Sequence, residues 1–489
     1  MADPRGEAGI PDLMDAFRDT AKTYPDRPAL VHGEQTITYR ELAGQVDELA
    51  SRLVTATPGV IAVEATHAPA TIRALLAVWA AGGAYCPVDP AFPAPRRAAM
   101  LAAAECQAIL DPRTDELTVL EPRPRPDADT PADLAYVLFT SGSTGAPKPV
   151  LTQRPAIAVT VAALRRLFEV TPDDRVLQFA SLNWDTCFEE ILPALTSGAA
   201  LVFHEDAHSG SLPRVLRMIE RERISVLDLP TAFWHELVAY LVEEGAALPG
   251  CVRLVVIGGE AASTGRLDDW CDLHNGHIRL LNTYGSTETT LITHAIDLAG
   301  PRARSRSWST HGRAPLGVAL AHVRERVTDD GELLIGGPAV AFGYRGLPEA
   351  TASRFVELDG ERFFRTGDRV ERVEDADGTV LVPRGRLDGE VKIRGIRVDP
   401  AEVEAHIGMH PAVRAVAVTG VRQADHTVLA AFVVARPGAH TTDLAASIRS
   451  HLRGRLPAHL VPHHIRVVAD LVYTSSGKVD RHRIKEALA

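Results

Sequence analysis

The run Phe139-Thr140-Ser141-Gly142-Ser143-Thr144-Gly145-Ala146-Pro147-Lys148 sets hydroxyls, glycines and a lysine side by side, directly after the apolar run Leu134-Ala135-Tyr136-Val137-Leu138. An apolar run that breaks into a Gly/Ser/Thr loop reads as a strand feeding a loop. Glycine accepts positive φ, so consecutive N–H groups can turn inward around an anion. The hydroxyls add donors and Lys148 adds a mobile positive charge, a combination that suits a polyphosphate. The run is not a Walker loop, because no Gly-Lys-Ser/Thr closes it and Pro147 interrupts any helix there. A plain surface loop can share this composition, so its meaning depends on the rest of the chain.

Other reactive residue types sit at the ends of apolar runs. Leu254-Val255-Val256-Ile257 ends in Gly258-Gly259-Glu260, and Ile278-Arg279-Leu280-Leu281-Asn282 ends in Thr283-Tyr284-Gly285-Ser286-Thr287-Glu288. Ligands of α/β sheets collect beyond the carboxyl ends of strands, so these segments and the 139–148 run are expected to converge on one site. Asp228 interrupts the apolar run Val226-Leu227-Asp228-Leu229, where a charge is costly unless paired or used. Phe364-Arg365-Thr366-Gly367-Asp368 reads as ending in a turn that exposes a carboxylate, and Ser475-Ser476-Gly477-Lys478 as a polar loop.

The elements that must position these residues alternate strand and helix over the first 300 residues, predicting layered α/β structure with mostly parallel strands. A smaller β-rich lobe is expected around Gly331-Glu332-Leu333-Leu334-Ile335-Gly336-Gly337, and residues 112–130, rich in Pro and Asp, read as a surface loop. Asp399-Pro400-Ala401-Glu402 predicts a capped helix start with a capping box. The fold class expected is therefore a large N-terminal α/β domain of layered sheets plus a β-rich lobe, joined by a hinge to a small C-terminal α+β domain. The boundary is set at 387/388, giving a core over 1–387 and a subdomain over 388–489.

Composition is that of a globular protein: 489 residues, 46% hydrophobic and 24% charged. The net charge of -11 is uneven, since residues 389–489 hold 14 Lys/Arg against 9 Asp/Glu. Those charges are dispersed through patterned structure, which argues against nucleic-acid binding. No apolar run reaches the roughly 18 residues of a membrane span, and the N-terminus lacks the pattern of a secretory signal. The five cysteines are scattered, without a C-x-x-C pair; they read as reduced thiols, and the expected location is cytoplasmic.

From Thr38-Tyr39-Arg40-Glu41-Leu42 to Gly477-Lys478-Val479-Asp480-Arg481, these motifs resemble, in order, those of the adenylate-forming superfamily. Ala84-Tyr85-Cys86-Pro87-Val88-Asp89-Pro90 and Gly385-Arg386-Leu387-Asp388 resemble its nonribosomal peptide synthetase adenylation domains. The resemblance implies two half-reactions: a carboxylate attacks the α-phosphorus of ATP-Mg²⁺, and the acyl group then passes to a phosphopantetheine thiol of a carrier protein. It implies that Thr140, Ser141, Gly142, Ser143, Thr144, Gly145 and Lys148 hold phosphates, and that Gly259, Glu260, Asn282, Tyr284, Gly285 and Thr287 frame the nucleotide. Glu288 helps hold Mg²⁺, Asp368 with Arg386 receives the ribose, Lys478 neutralises the forming adenylate, and Asp388 is the hinge. Two residues depart from the pattern, Pro149 for the usual Gly and Phe364 for the usual Tyr; neither removes a charged group.

The same resemblance places Asp185 against a substrate α-ammonium and lines the pocket with Thr186, Glu189, Asp228, Val256, Gly258, Thr283, Leu291, Ile292 and Lys478. A buried unpaired carboxylate costs several kcal/mol, so Glu189 and Asp228 beside apolar neighbours reject a Leu or Phe side chain and favour a stem ending in a cation. Lysine, β-lysine or ornithine is expected, with arginine behind them, and Gly258 and Thr283 are expected to leave room for length. The enzyme is expected to be free-standing and to load a separate carrier protein; the resemblance allows a small activating partner. The alternatives are an acyl- or aryl-CoA ligase and an inactive nucleotide-binding relative.

Overall fold

The computed structural model describes residues 10–54, 59–120, 131–141, 146–303, 312–375, 378–387, 390–393, 395–423, 426–437 and 441–471. Asp388, Lys478 and Gly142, Ser143, Thr144 and Gly145 lie outside them.

Six strands of a nine-stranded sheet run parallel, in the order Arg279–Gly285, Leu254–Gly258, Val226–Pro230, Arg175–Leu177, Ala200–Phe203 and Pro28–His32. Their near-continuous Val/Leu/Ile runs are what strands covered on both faces require. A second, seven-stranded sheet contains Leu134–Thr140, Lys148–Gln153, Ala84–Val88 and Val60–Glu64. Helices Tyr39–Val54, Pro69–Ala80, Arg154–Phe168 and Cys187–Leu195 share one apolar core with side chains from both sheets, such as Val256 and Leu138. Helix Cys187–Leu195 is buried along its whole length, so its two acids, Glu189 and Glu190, are carried inside the protein.

The β-rich lobe is a five-stranded sheet that includes Glu332–Gly336, Glu361–Asp375 and Gly378–Arg386. Farther along, Val413–Gln423, His426–Ala435 and His464–Val468 form a sheet with helices Pro400–Gly408 and Leu444–Arg453 around their own core, preceded by the hairpin Val391–Ile393/Ile396–Val398. Among the described residues no helix is long and apolar enough to cross a membrane.

Three local expectations are corrected. Within residues 112–130, Glu116–Val119 is an edge strand paired with Ala108–Asp111, its short alternating pattern masked by the polar residues around it. Asp368 ends no turn: it lies inside the long strand Glu361–Asp375, where Gly367 takes φ 72° at an irregularity in the pairing. The register sets Asp368 opposite Arg386, so its carboxylate is paired rather than displayed. Helix Pro400–Gly408 has Asp399 as N-cap, accepting from the Ala401 N–H. The Asp399 N–H that a capping box gives to Glu402 instead donates to Ser141 Oγ at 2.8 Å, and Glu402 meets Arg96 at 2.6 Å. Contacts between lobes have replaced the local motif.

Between Arg279–Gly285 and Ile292–Ala299 the chain reverses through a short helical turn, Thr287–Thr289, capped reciprocally by Ser286 and Thr289. Thr290 and Leu291 follow at φ 56° and 69°, both left-handed, a cost held in place by the packing around them. The turn closes over Gly285, where a Cβ would stand 1.8 Å from the Leu291 carbonyl oxygen. Gly285→Ala is expected to destabilise the fold by about 1–3 kcal/mol, the scale of overpacking. An urea midpoint equal to that of the parent would overturn this.

Candidate active site

Thr140 and Lys148 are cross-strand partners, so Lys148 is fixed beside the end of the strand Leu134–Thr140. Lys148 Nζ lies 5.3 Å from the centre of the Tyr344 ring, and Tyr344 Oη donates to Glu288 Oε1 at 2.8 Å. Glu288 is buried; burial alone would raise its pKa, but Arg397 and Lys148 hold it below the usual value. Thr140 Oγ1 is buried without a hydrogen-bond partner among the described residues. A hydroxyl, a lysine and an ionised carboxylate thus meet at the end of the strand Leu134–Thr140.

Beside them a cavity of about 290 Å³ is lined by Gly259, Asn282, Tyr284, Asp368, Arg386 and Lys392. Tyr284 Oη donates to Asp368 Oδ2 at 2.7 Å and Arg386 Nη1 to Asp368 Oδ1 at 2.7 Å. Asn282 Nδ2 is spent on the Pro315 carbonyl, leaving Oδ1 buried and unpartnered, an acceptor suited to an exocyclic amine. The aromatic ring, the lone acceptor and the carboxylate–guanidinium pair fit a nucleoside. Lys392 Nζ lies 5.5 Å from the Tyr284 ring centre, and burial lowers its pKa.

The third part is acidic. Asp185 is half-buried, and desolvation raises its pKa to about 6; Thr186 itself is exposed. Asp228 pairs in register with Val256, and Val256, Leu291 and Ile292 belong to one apolar cluster. Glu189 and Asp228 are neighbouring buried carboxyl groups; burial pushes Glu189 well above the carboxylate range and Asp228 to about 7. The two acids, with Glu190 and Val256, line a small cavity of about 10 Å³, space for at most about one water. The expected room at Gly258 is corrected: Thr283 Oγ1 stands 2.6 Å from where a Cβ on residue 258 would be. Gly258 permits close approach of the strand Arg279–Gly285 rather than a long void.

Sequence reasoning missed the hairpin Val391–Ile393/Ile396–Val398, which enters the site from the C-terminal part. Gly395 N–H donates to Glu260 Oε1 at 2.7 Å, and a Cβ on Gly259 would meet Gly395 Cα at 2.8 Å. Arg397 Nη1 lies 3.5 Å from Glu288 Oε2, its Nε bonds Glu390, and its carbonyl accepts from Ser141 Oγ. The signal was present in Lys392-Ile393-Arg394-Gly395-Ile396-Arg397, three cations around one glycine. Glu190, also missed, accepts from the Phe179 and Ala180 N–H groups and from Gln178 Nε2.

With a nucleoside cavity, a phosphate-type hairpin and an acid-lined pocket in place, the chain belongs to the AMP-binding enzymes: that family matches residues 17–345, and the AMP-binding enzyme C-terminal domain matches 402–478. It is an adenylate-forming ligase, acting on an acid. Among its relatives, the isonitrile lipopeptide synthase of Streptomyces coeruleorubidus is 41% identical over 484 residues, covering 93% of this chain and 32% of that protein. Phosphinothricin tripeptide synthetase PhsC of Streptomyces viridochromogenes is 33% identical over 528 residues, covering 100% and 46%. The chain therefore spans less than half the length of these two relatives. Two solved structures are similar to it. One is NpsA-ThdA, an artificially fused adenylation-PCP di-domain NRPS from Klebsiella oxytoca, with 27% identity, TM-score 0.78 and 94% of each chain covered. The other is holo-PA1221, an NRPS protein containing adenylation and PCP domains bound to a vinylsulfonamide inhibitor, with 25% identity, TM-score 0.80, and 97% of this chain and 84% of that one covered.

Proposed function

We propose that this chain activates a cationic amino acid (lysine, β-lysine or ornithine) as its aminoacyl-adenylate and passes it to the phosphopantetheine thiol of a carrier protein. The observation that carries the substrate is the set of acids Asp185, half-buried, and Glu189 and Asp228, buried, none of which pairs with a Lys or Arg among the described residues. Such charges are retained where a ligand supplies the counter-ion. The carrier is supported by the adenylation-PCP proteins to which the chain is similar.

In this reading Asp185 takes the α-ammonium and the carboxylate attacks the α-phosphorus of ATP; the bond to pyrophosphate breaks and the adenylate forms. The work of the residues is positioning and charge neutralisation, since both reactants are anions. Thr140, Ser141 and Lys148 hold the outgoing phosphates, Asn282 and Tyr284 the adenine, and Asp368 with Arg386 the ribose. Glu288, ionised and with Oε2 free of hydrogen bonds, fits a hard cation; a Mg²⁺ bound there supplies charge neutralisation at the phosphates. Lys478 is assigned to the forming adenylate and Asp388 to a hinge between a core over 1–387 and a mobile subdomain over 388–489. After the hinge turns, the hairpin around Gly395 faces the adenylate and the carrier thiol displaces AMP.

Pyrophosphate exchange over lysine, β-lysine, ornithine, arginine and neutral amino acids tests the substrate. Exchange fastest with a cationic member is expected, and preference for a neutral side chain over every cation would overturn the reading. Glu189→Gln is expected to lower kcat/KM for the cation about 30- to 100-fold, the lower part of the range for truncating one partner of a buried charge pair, and for norleucine only a few-fold.

A further inference from the structure

Glu189 stands in the first turn of helix Cys187–Leu195 and Asp228 in the middle of strand Val226–Pro230, and their buried carboxyl groups line one small cavity. Two carboxylates sharing such a site do not both ionise without a cation, and neither pairs with a Lys or Arg among the described residues, so the pair holds a proton. Asp228 Oδ2, in a residue only 6% exposed, has no hydrogen-bond partner among the described residues. The pair therefore offers an oxygen to an incoming donor.

What faces the pair sharpens the point. From its own helix come Cys187 and Glu190, and from the preceding loop Asp185. Glu288 acts on Asp185 in turn. The neighbouring helix contributes Phe168, and the strands contribute Val176, Val226 and Val256, all apolar. Glu190 is already committed to two N–H groups and Gln178. Every titratable group here is an acid or a thiol, so adding negative charge to the empty pocket is disfavoured from all sides.

We infer that the empty pocket holds a proton between Glu189 and Asp228, and that the side-chain ammonium of the substrate enters in exchange for it. The inference rests on the cationic-substrate reading given above. One O–H bond breaks: the carboxyl proton passes to a water or buffer base, the ammonium keeps its protons, and the net charge of the pocket is held constant. A neutral side chain cannot make this exchange. Selectivity for the cation over a neutral amino acid then rises with pH, because the competing proton becomes scarcer. The rise is about tenfold per pH unit on the acid side of the pair's titration and levels off above it. Asp185 also titrates, but it serves every α-amino acid, so it cancels in the ratio.

The test is calorimetric titration of the full chain at pH 7, in phosphate and in Tris, whose heats of ionisation differ. The probes are norleucine and whichever of lysine, β-lysine or ornithine exchanges fastest. Pyrophosphate exchange with both probes is followed between pH 6 and 8. The cation is expected to release more protons than norleucine, approaching one, and the ratio of kcat/KM values to climb with pH. Asp228→Asn, and independently Glu189→Gln should the first variant not fold, are expected to remove both the extra proton and the slope. A cation that exchanges well with no extra proton and a flat ratio would overturn the proton exchange alone. Norleucine exchanging faster than all three cations would overturn the substrate reading beneath it.

Discussion

Asp185→Asn is expected to lower amino-acid-dependent pyrophosphate exchange by about 10²- to 10³-fold. Asparagine keeps the shape of the side chain and still offers an acceptor oxygen, so the loss isolates the charge. Removing one partner of a buried, hydrogen-bonded ion pair costs about 2–5 kcal/mol, and each 1.4 kcal/mol is roughly tenfold. The folded protein is expected not to suffer. Burial raises the Asp185 pKa to about 6 in the folded state, above its value in an unfolded chain. Its ionisation therefore subtracts stability as pH rises from the unfolded pKa through the folded one, and the penalty persists above pH 6. The Asn variant avoids that penalty, so its melting temperature at pH 8 is expected to equal or exceed the parent's. Exchange within threefold of the parent would remove Asp185 from the α-ammonium. A collapse of melting temperature would instead assign it a structural part.

Arg397→Ala is expected to separate the two half-reactions. Arg397 joins Glu288 and Glu390 in the arrangement described here; burial would lower its pKa, but the Glu390 and Glu288 carboxylates raise it well above the ordinary value. Withdrawing the guanidinium leaves Glu288 without that counter-charge and costs this arrangement about 3–5 kcal/mol. If this is the arrangement in which the thiol is acylated, single-turnover transfer to a holo carrier protein falls by 10² or more. Pyrophosphate exchange, which in the proposed reading proceeds with the hairpin elsewhere, is expected to fall far less. Equal losses in both assays, or unimpaired transfer, would rule out a role confined to transfer.

Much of this architecture could be read from residue patterns. Leu254-Val255-Val256-Ile257 and Ile278-Arg279-Leu280-Leu281-Asn282 declare themselves as buried parallel strands by uninterrupted apolar runs, and the structure has them adjacent. Asp228 stood out because a charge in such a run must be accounted for, and it is found against Glu189. What remained hidden depends on contacts between distant segments. Nothing local distinguishes Glu402 as the partner of Arg96 from Glu402 as a member of a capping box. The pairing of Asp368 with Arg386 follows from strand register, which a Thr-Gly-Asp triplet alone presents as a turn. The room expected beside Gly258 was lost to the Thr283 hydroxyl, because the absence of a side chain tells nothing of what fills its place.

Ser141 has a consequence for the direction of catalysis. Its hydroxyl hydrogen is given to the Arg397 carbonyl, and its oxygen receives the Asp399 N–H; a hydroxyl has one hydrogen to donate. While the lobes are clasped in this way, Ser141 has none left for a phosphate oxygen, and Glu288 faces a guanidinium. In the proposed reading pyrophosphate then finds its berth dismantled, and an adenylate enclosed at that moment is committed forward, onto the thiol.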